Sequence, residues 1–186
     1  MSLSTLVDPD LLAAASNPSP KPRRLNLASG NHPSGSWGWD VDLNFAADVQ
    51  ADILHLPFPD RTFTAAYGGH VLEHIPWGAI PAVLGEVRRV LVPGAEVVAV
   101  GPCIHRAIQT AQPSWLIDAI LCDPRTTEPP GIHHAWTPTE ELTVEAMTRG
   151  GFIDVEVLNV ADVRRPDWPN PAPDAAWQCA VRARCP

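Results

Sequence analysis

The chain has 186 residues and a mass of 20.1 kDa, the size of one domain. Its 45% hydrophobic and 18% charged residues exclude a disordered chain. A net charge of −8, with basic residues never in more than a pair, disfavours nucleic acid as a partner, and no apolar stretch reaches the ~18 residues of a membrane span.

Residues 1–20 are expected to be an N-terminal extension and 21–186 a single domain. Within the extension, Asp8-Pro9-Asp10 is a helix start for Leu11 to Ala15, and Asn17-Pro18-Ser19-Pro20 ends it. Arg24 to Ala28 predicts a first strand that runs into Ser29-Gly30. A Gly/Ser/Pro loop then reaches Trp37, and Gly38 to Asp42 predicts a second strand with two acids, Asp40 and Asp42. About ten residues separate Gly30 from Asp40, which leaves little room for the helix that usually joins parallel strands. Ala51-Asp52-Ile53 is expected as a third strand and Phe63 to Tyr67 as a fourth, ending in Gly68-Gly69-His70.

A helical turn over Val71 to Ile75 is broken by Pro76-Trp77-Gly78 and resumes from Ala79 to Leu91. Val83, Leu84, Val87, Val90 and Leu91 form an apolar stripe at helical spacing. Pro93-Gly94 is expected to turn the chain into a fifth strand, Glu96 to Val100. Its near-continuous apolar run marks a strand covered on both faces. A helix is expected from His105 to Leu121, kinked at Pro113. Thr137-Pro138-Thr139-Glu140 predicts a capping box with proline at the first helical position, for a helix that stops at Gly150-Gly151. Phe152 to Leu158 and Ala176 to Ala183 are the last two strands. The alternation makes the class α/β, with a mainly parallel sheet.

In such a sheet ligands sit beyond the carboxyl ends of the strands. Those ends hold Ser29-Gly30, Asp42, Asp52, His70 and Gly101. The first-strand loop has a single glycine and no helix after it, so it does not cradle a pyrophosphate. A carboxylate after the second strand suits a ribose diol, and one near the third suits an adenine amino group. A nucleoside cofactor without a pyrophosphate fits this set. Alanine at position 28 is compatible with that loop only at negative φ.

Taken together, Leu25-Asn26-Leu27-Ala28-Ser29-Gly30, Asp40-Val41-Asp42, Ala51-Asp52-Ile53-Leu54-His55-Leu56-Pro57-Phe58, Gly69-His70-Val71-Leu72-Glu73-His74-Ile75 and Glu86 to Gly94 resemble the class I S-adenosylmethionine-dependent methyltransferases, in their compact, type-11-like form. The resemblance covers roughly residues 24–160 and implies a Rossmann-like, mainly parallel sheet with an antiparallel C-terminal hairpin and a reduced first helix. It implies S-adenosyl-L-methionine as cofactor, with Ala28, Ser29 and Gly30 at its methionine part. It implies Asp42 (with Asp40 as rival) on the ribose hydroxyls, Asp52 and the backbone of Ile53 on adenine, and His70 near the methyl group. The function it implies is methyl transfer to a small-molecule acceptor. His70, and next His134, are the general-base candidates. The alternative on the same fold is a non-catalytic cofactor-binding or scaffold relative.

His70-Val71-Leu72-Glu73-His74 also matches the H-x-x-E-H zinc-peptidase pattern. That pattern needs both histidines on one face of a long helix. Pro76 and Gly78 end the helix at once, so no metal is expected. Trp37, Trp39, Trp77 and Trp115 are candidates for an apolar acceptor pocket, whereas Trp168 and Trp177 are expected to be structural. Cys103, Cys122, Cys179 and Cys185 show no CxxC spacing, and nothing marks Cys103 as a low-pKa thiol. With no basic segment leading into an apolar core at the N-terminus, a cytoplasmic protein with reduced thiols is expected.

Overall fold

Arg24–Leu27 forms β1, the strand around which the sheet is organised. The computed structural model describes residues 22–30, 34–43, 47–110, 134–159, 163 and 176–186. The expected extension over 1–20, the later part of the helix towards Leu121, and most of the loop 161–175 lie outside the described residues, as do Trp115, Trp168 and Cys122.

Trp39–Asp42 is β2, Val49–Gln50 is β3, Phe63–Gly69 is β4, Leu91–Pro102 is β5, Ile153–Leu158 is β6 and Gln178–Arg184 is β7. They form one sheet in the order β3-β2-β1-β4-β5-β7-β6. The first five are parallel, and β7 lies antiparallel between β5 and β6. The expected mainly parallel sheet with an antiparallel C-terminal pair is present. The chain steps outward from β1 to β3, then crosses to β4 on the other side of β1, which makes β1/β4 the switch point.

Three strand boundaries differ from expectation. The third strand lies two residues early, at Val49–Gln50, because these residues find register with Val41 and Asp42. Ala51 donates one more bond, to the Asp42 carbonyl, before Asp52 folds into a turn. Strand β4 extends to Gly69, in register with Val100 of β5. Strand β5 starts at Leu91, opposite Phe63, and absorbs the expected Pro93-Gly94 turn beside a register shift in the ladder. Gly94 there has φ +77 and donates to the Cys185 carbonyl.

After β4 come two 3-10 turns, Leu72–His74 and Trp77–Ala79, parted at Pro76, and then α1, Ile80–Val90. The buried face of α1 is Ile80, Val83, Leu84, Val87 and Val90, close to the expected stripe. Helix α2 is Ile104–Thr110, and α3 is Glu140–Arg149. The cap of α3 is Thr139, whose hydroxyl accepts from the Leu142 N–H. The expected cap two residues earlier fails because Pro138, with no N–H of its own, precedes the helix instead of opening it. Arg149 and Gly150 end it as expected, with Gly151 at φ +83.

Helices α1 and α3 cover one face of the sheet. Their apolar side chains join Leu25, Leu27, Val41, Ala66, Val97, Ala99 and Val181 in the main core. The opposite face carries a smaller cluster, in which Trp37 meets Tyr67 edge-on with Val98, Val100 and Ala180. Strand β5 thus contributes to both clusters, as its apolar run implied. Among the described residues the β1–β2 connection contains no helix. Its close passage depends on Gly38, where a Cβ would stand 2.5 Å from the Arg24 carbonyl oxygen.

Behind the sheet edge, Arg89 ties α1 to the loop after β3. Its guanidinium donates to the Leu56 and Phe58 carbonyls and pairs with Glu86 and Asp60. Glu86 in turn accepts from the Leu56 N–H. The guanidinium of Arg89 holds the Glu86 carboxyl below its ordinary range. The Leu56-Pro57-Phe58 and Arg88-Arg89 segments are therefore two halves of one clasp.

Candidate functional site: a cleft and a histidine cluster on one sheet edge

The carboxyl ends of β1, β2 and β3 enclose an open cleft with an empty volume of about 430 Å³. Leu27, Val41, Leu43 and Ala51 give it apolar walls, and Ala28, Asp42, Asp52 and Ile53 complete its lining. Four of the residues singled out in the sequence therefore share one cavity. Ser29 is buried beside it, held by a bond from its N–H to the Val41 carbonyl. Gly30, at φ +55, donates its N–H to Asp42 Oδ2 at 2.8 Å. The Asp42 carboxylate thus sets the loop while lining the cleft.

Asp40 plays a different part. It is 3% exposed and does not line the cleft. Its Oδ1 accepts from the Asn26 amide at 2.8 Å, and both its oxygens lie within hydrogen-bond reach of the Ser34 N–H. It anchors the helix-free crossover between β1 and β2. Asp52 caps its own turn, accepting from the Leu54 N–H. Ala28 overturns one expectation, since its φ is +50. The tight exit from β1 imposes a left-handed residue there, at a cost of roughly 1–2 kcal/mol for a side chain with a Cβ.

The second region lies across the switch point. The register Leu27↔Gly68 and Gly69↔Val100 brings His70 to the same edge. His70 has φ +55, and its N–H donates to the Val100 carbonyl. Such strain concentrates at functional sites. Its Nδ1 is 3.1 Å from Glu73 Oε1, and its Nε2 is 2.5 Å from Gln178 Nε2. With that amide donating, His70 Nε2 is the acceptor of the contact. Trp177 packs edge-on against the His70 ring at 5.5 Å, so the tryptophan expected to be structural borders the site.

His134 arrives from far along the chain. The next two residues dock on the first 3-10 turn: the Ala135 N–H donates to the Glu73 carbonyl and the Trp136 indole to the Leu72 carbonyl. The His134 ring then meets His74 at 4.9 Å. The other aromatic candidates scatter. Trp77 stacks on Trp136 and under Arg149, Trp39 packs on the main core, and Trp37 lies on the opposite face. His105 is exposed on α2. Trp177 and Gln178 are the site residues missed in sequence, and Glu73 was noticed only within the H-x-x-E-H pattern; the only signal for Gln178 was a polar residue opening an apolar strand.

Cys103 also departs from expectation. The Cys179 thiol beside it, together with the Arg106 and His105 N–H groups, brings the Cys103 thiol down to about 6 despite its burial. Cys179 is pushed up by the same contact and by its own burial. Both thiols are free and buried, which shields Cys103 from solvent reagents.

The fold defined by this sheet, with an open cleft beyond β1–β3, is shared with methyltransferases of known structure. Residues 18–99 match the family model described as a methyltransferase domain. The chain is similar over 88% of its length to a S-adenosylmethionine-dependent methyltransferase from Methanosarcina mazei, covering 92% of that chain at TM-score 0.57 and 18% identity. It is likewise similar over 90% of its length to geranyl diphosphate C-methyltransferase from Streptomyces coelicolor, covering 74% of that chain at TM-score 0.56 and 14% identity. Among curated relatives, 2-phytyl-1,4-naphtoquinone methyltransferase of Synechococcus elongatus is 36% identical over 76 residues, 38% of this chain and 32% of that protein. Sterol 24-C-methyltransferase of Gibberella zeae is 44% identical over 46 residues, 25% of this chain and 12% of that protein. The chain spans a third or less of these two curated relatives. The match to the methyltransferase domain thus lies over 18–99, and the chain as a whole shares the fold of these S-adenosylmethionine-dependent methyltransferases.

Proposed function

We propose that this chain binds S-adenosyl-L-methionine in the β1–β3 cleft and transfers its methyl group to a small-molecule acceptor at the end of β4. One observation carries the reading: Ala28, Asp42, Asp52 and Ile53 line a single cavity at the strand ends. Asp42 would accept from the ribose hydroxyls, since Asp40 is buried on Asn26 and Ser34. Asp52 and the Ile53 backbone would hold the adenine, between the apolar walls of Leu27, Val41 and Ala51. Ala28, Ser29 and Gly30 would border the methionine part, where a Cβ on Gly30 would meet nothing within 4 Å.

The bound sulfonium supplies an electrophilic methyl group, so the protein's task is to align a nucleophile and exclude water. For a hydroxyl or ring-nitrogen acceptor a base is required. His70 is the first candidate, poised between Glu73 and Gln178, and His134 the second. Isothermal calorimetry with S-adenosylmethionine and S-adenosylhomocysteine tests the reading, with one-to-one binding expected. Absence of binding by either ligand near millimolar concentration sinks it. Binding without turnover across a broad acceptor screen would favour a non-catalytic relative.

A further inference from the structure

We propose that Glu73, His74 and His134 form a binding site for a divalent transition-metal ion of the zinc class. One ligand atom from each of the three lies within 4.8 Å of the others. A metal bond to nitrogen or oxygen is about 2.0–2.2 Å long, so small side-chain rotations close the set around one ion. Two imidazoles and a carboxylate are the donor set of open, three-ligand sites, which keep further positions for water or substrate.

Two further observations point to a cation. Glu73 is 1% exposed, and its neighbours include Leu72, Ala99, Trp136 and Thr143. A carboxylate in such surroundings calls for a positive partner. Yet Glu73 Oε1 makes no aligned hydrogen bond, even with His70 Nδ1 at 3.1 Å. The set is also held in advance. Bonds from His74 N–H to the Val71 carbonyl and from Ile75 N–H to the Leu72 carbonyl close the turn that carries Glu73 and His74. The bonds from Ala135 and Trp136 fix the segment that carries His134. His70 Nδ1 stands 3.1 Å behind Glu73 Oε1, the place where an outer partner of a metal ligand sits. The H-x-x-E-H pattern in the sequence thus marks the right place with the wrong ligand: His134 takes the position that the pattern gives to His70.

The site lies at the end of β4. If the methyl-transfer reading holds, on which this clause rests, the ion suits an acceptor with a hydroxyl or carbonyl oxygen.

The test uses the full chain, stripped with chelator and titrated with Zn²⁺ or Co²⁺ alone. One ion per chain should bind, and His74→Ala and His134→Ala should each weaken binding by at least the roughly 10–100-fold seen for outer partners of metal ligands. His55→Ala, outside the cluster, should leave it unchanged. The ring ¹⁵N signals of His74 and His134 in the unaltered protein should move on zinc addition, a readout that needs no variant to fold. Lack of stoichiometric uptake, uptake undiminished in both variants, or unmoved ring signals would overturn the site. S-adenosylhomocysteine binding, measured separately without metal, reports on the methyl-transfer reading alone.

Discussion

The cleft beyond β1–β3 and the histidine cluster beyond β4, β5 and β7 share one sheet edge but are built from different material. The cleft is open, with apolar walls and residues from three consecutive strand ends. The cluster packs titratable side chains around a buried carboxylate, drawn from segments near positions 70, 134 and 178. The contrast teaches where precision comes from. An open cleft at consecutive strand ends is assembled by short-range loops and one well-placed acid. A cluster of imidazoles needs distant segments docked to within hydrogen-bond distance, and so depends on the whole sheet.

The two aspartates of β2 give the largest test. Asp42→Ala is expected to weaken S-adenosylhomocysteine binding roughly 10–100-fold, the loss for hydrogen bonds to a charged group, with a smaller stability loss of about 1 kcal/mol from the half-buried Gly30 N–H it leaves. Asp40→Ala should do the reverse, costing about 1–3 kcal/mol of stability because the Asn26 amide and the Ser34 N–H lose their acceptor. Calorimetry and urea unfolding on both variants decide it; an exchange of the two phenotypes would assign the ribose to Asp40.

Gln178→Ala probes the other region. Removing its buried bond to His70 should cost roughly 1 kcal/mol and alter the His70 Nε2 signal in ¹⁵N NMR, while cofactor affinity in the cleft holds. A parallel loss of affinity would mean that the two regions are coupled.

Ala28→Gly should raise stability by about 0.5–1 kcal/mol. Relief of the left-handed strain exceeds the greater freedom of an unfolded glycine, and a thermal melt measures the difference. A drop in stability would mean that the Ala28 methyl is worth more to the cleft wall than its strain costs.

The smallest effect is at the clasp behind the cleft. The Arg89 guanidinium lowers the Glu86 carboxyl from its ordinary 4.5. A depressed carboxylate stabilises the fold above its unfolded pKa, and that contribution fades as pH falls below about 4.5 towards the lowered value. Glu86→Gln should therefore flatten the acid limb of stability against pH by less than about 1 kcal/mol, since the pair is partly solvated. An unchanged acid limb would remove Glu86 from the clasp.

Much of the cleft was legible beforehand because strand ends are marked locally. An apolar run stops, and a small or acidic residue follows, which singled out Ser29, Gly30, Asp42 and Asp52; Ala28 and Ile53 came from the family resemblance. The cluster was legible only in pieces. His70 and His134 stood out as residue types. Gln178 did not, and Glu73 stood out only as part of the H-x-x-E-H pattern, because their role comes from a contact across β4, β5 and β7 that no local pattern records.

The sequence by itself determined the alternation of strands and helices, the apolar stripe of α1, the stop at Gly150-Gly151 and the near absence of chain for a first crossover helix. These follow from periodicity and turn chemistry, which act over a few residues. Tertiary structure alone decided the rest. Strand pairing moved β3 to Val49–Gln50, and burial against Asn26 separated Asp40 from Asp42. The tight exit from β1 forced Ala28 to positive φ. Two hydrogen bonds from the segment after His134 set that ring against His74, because a long-range contact exists only once both of its partners have been brought to one place.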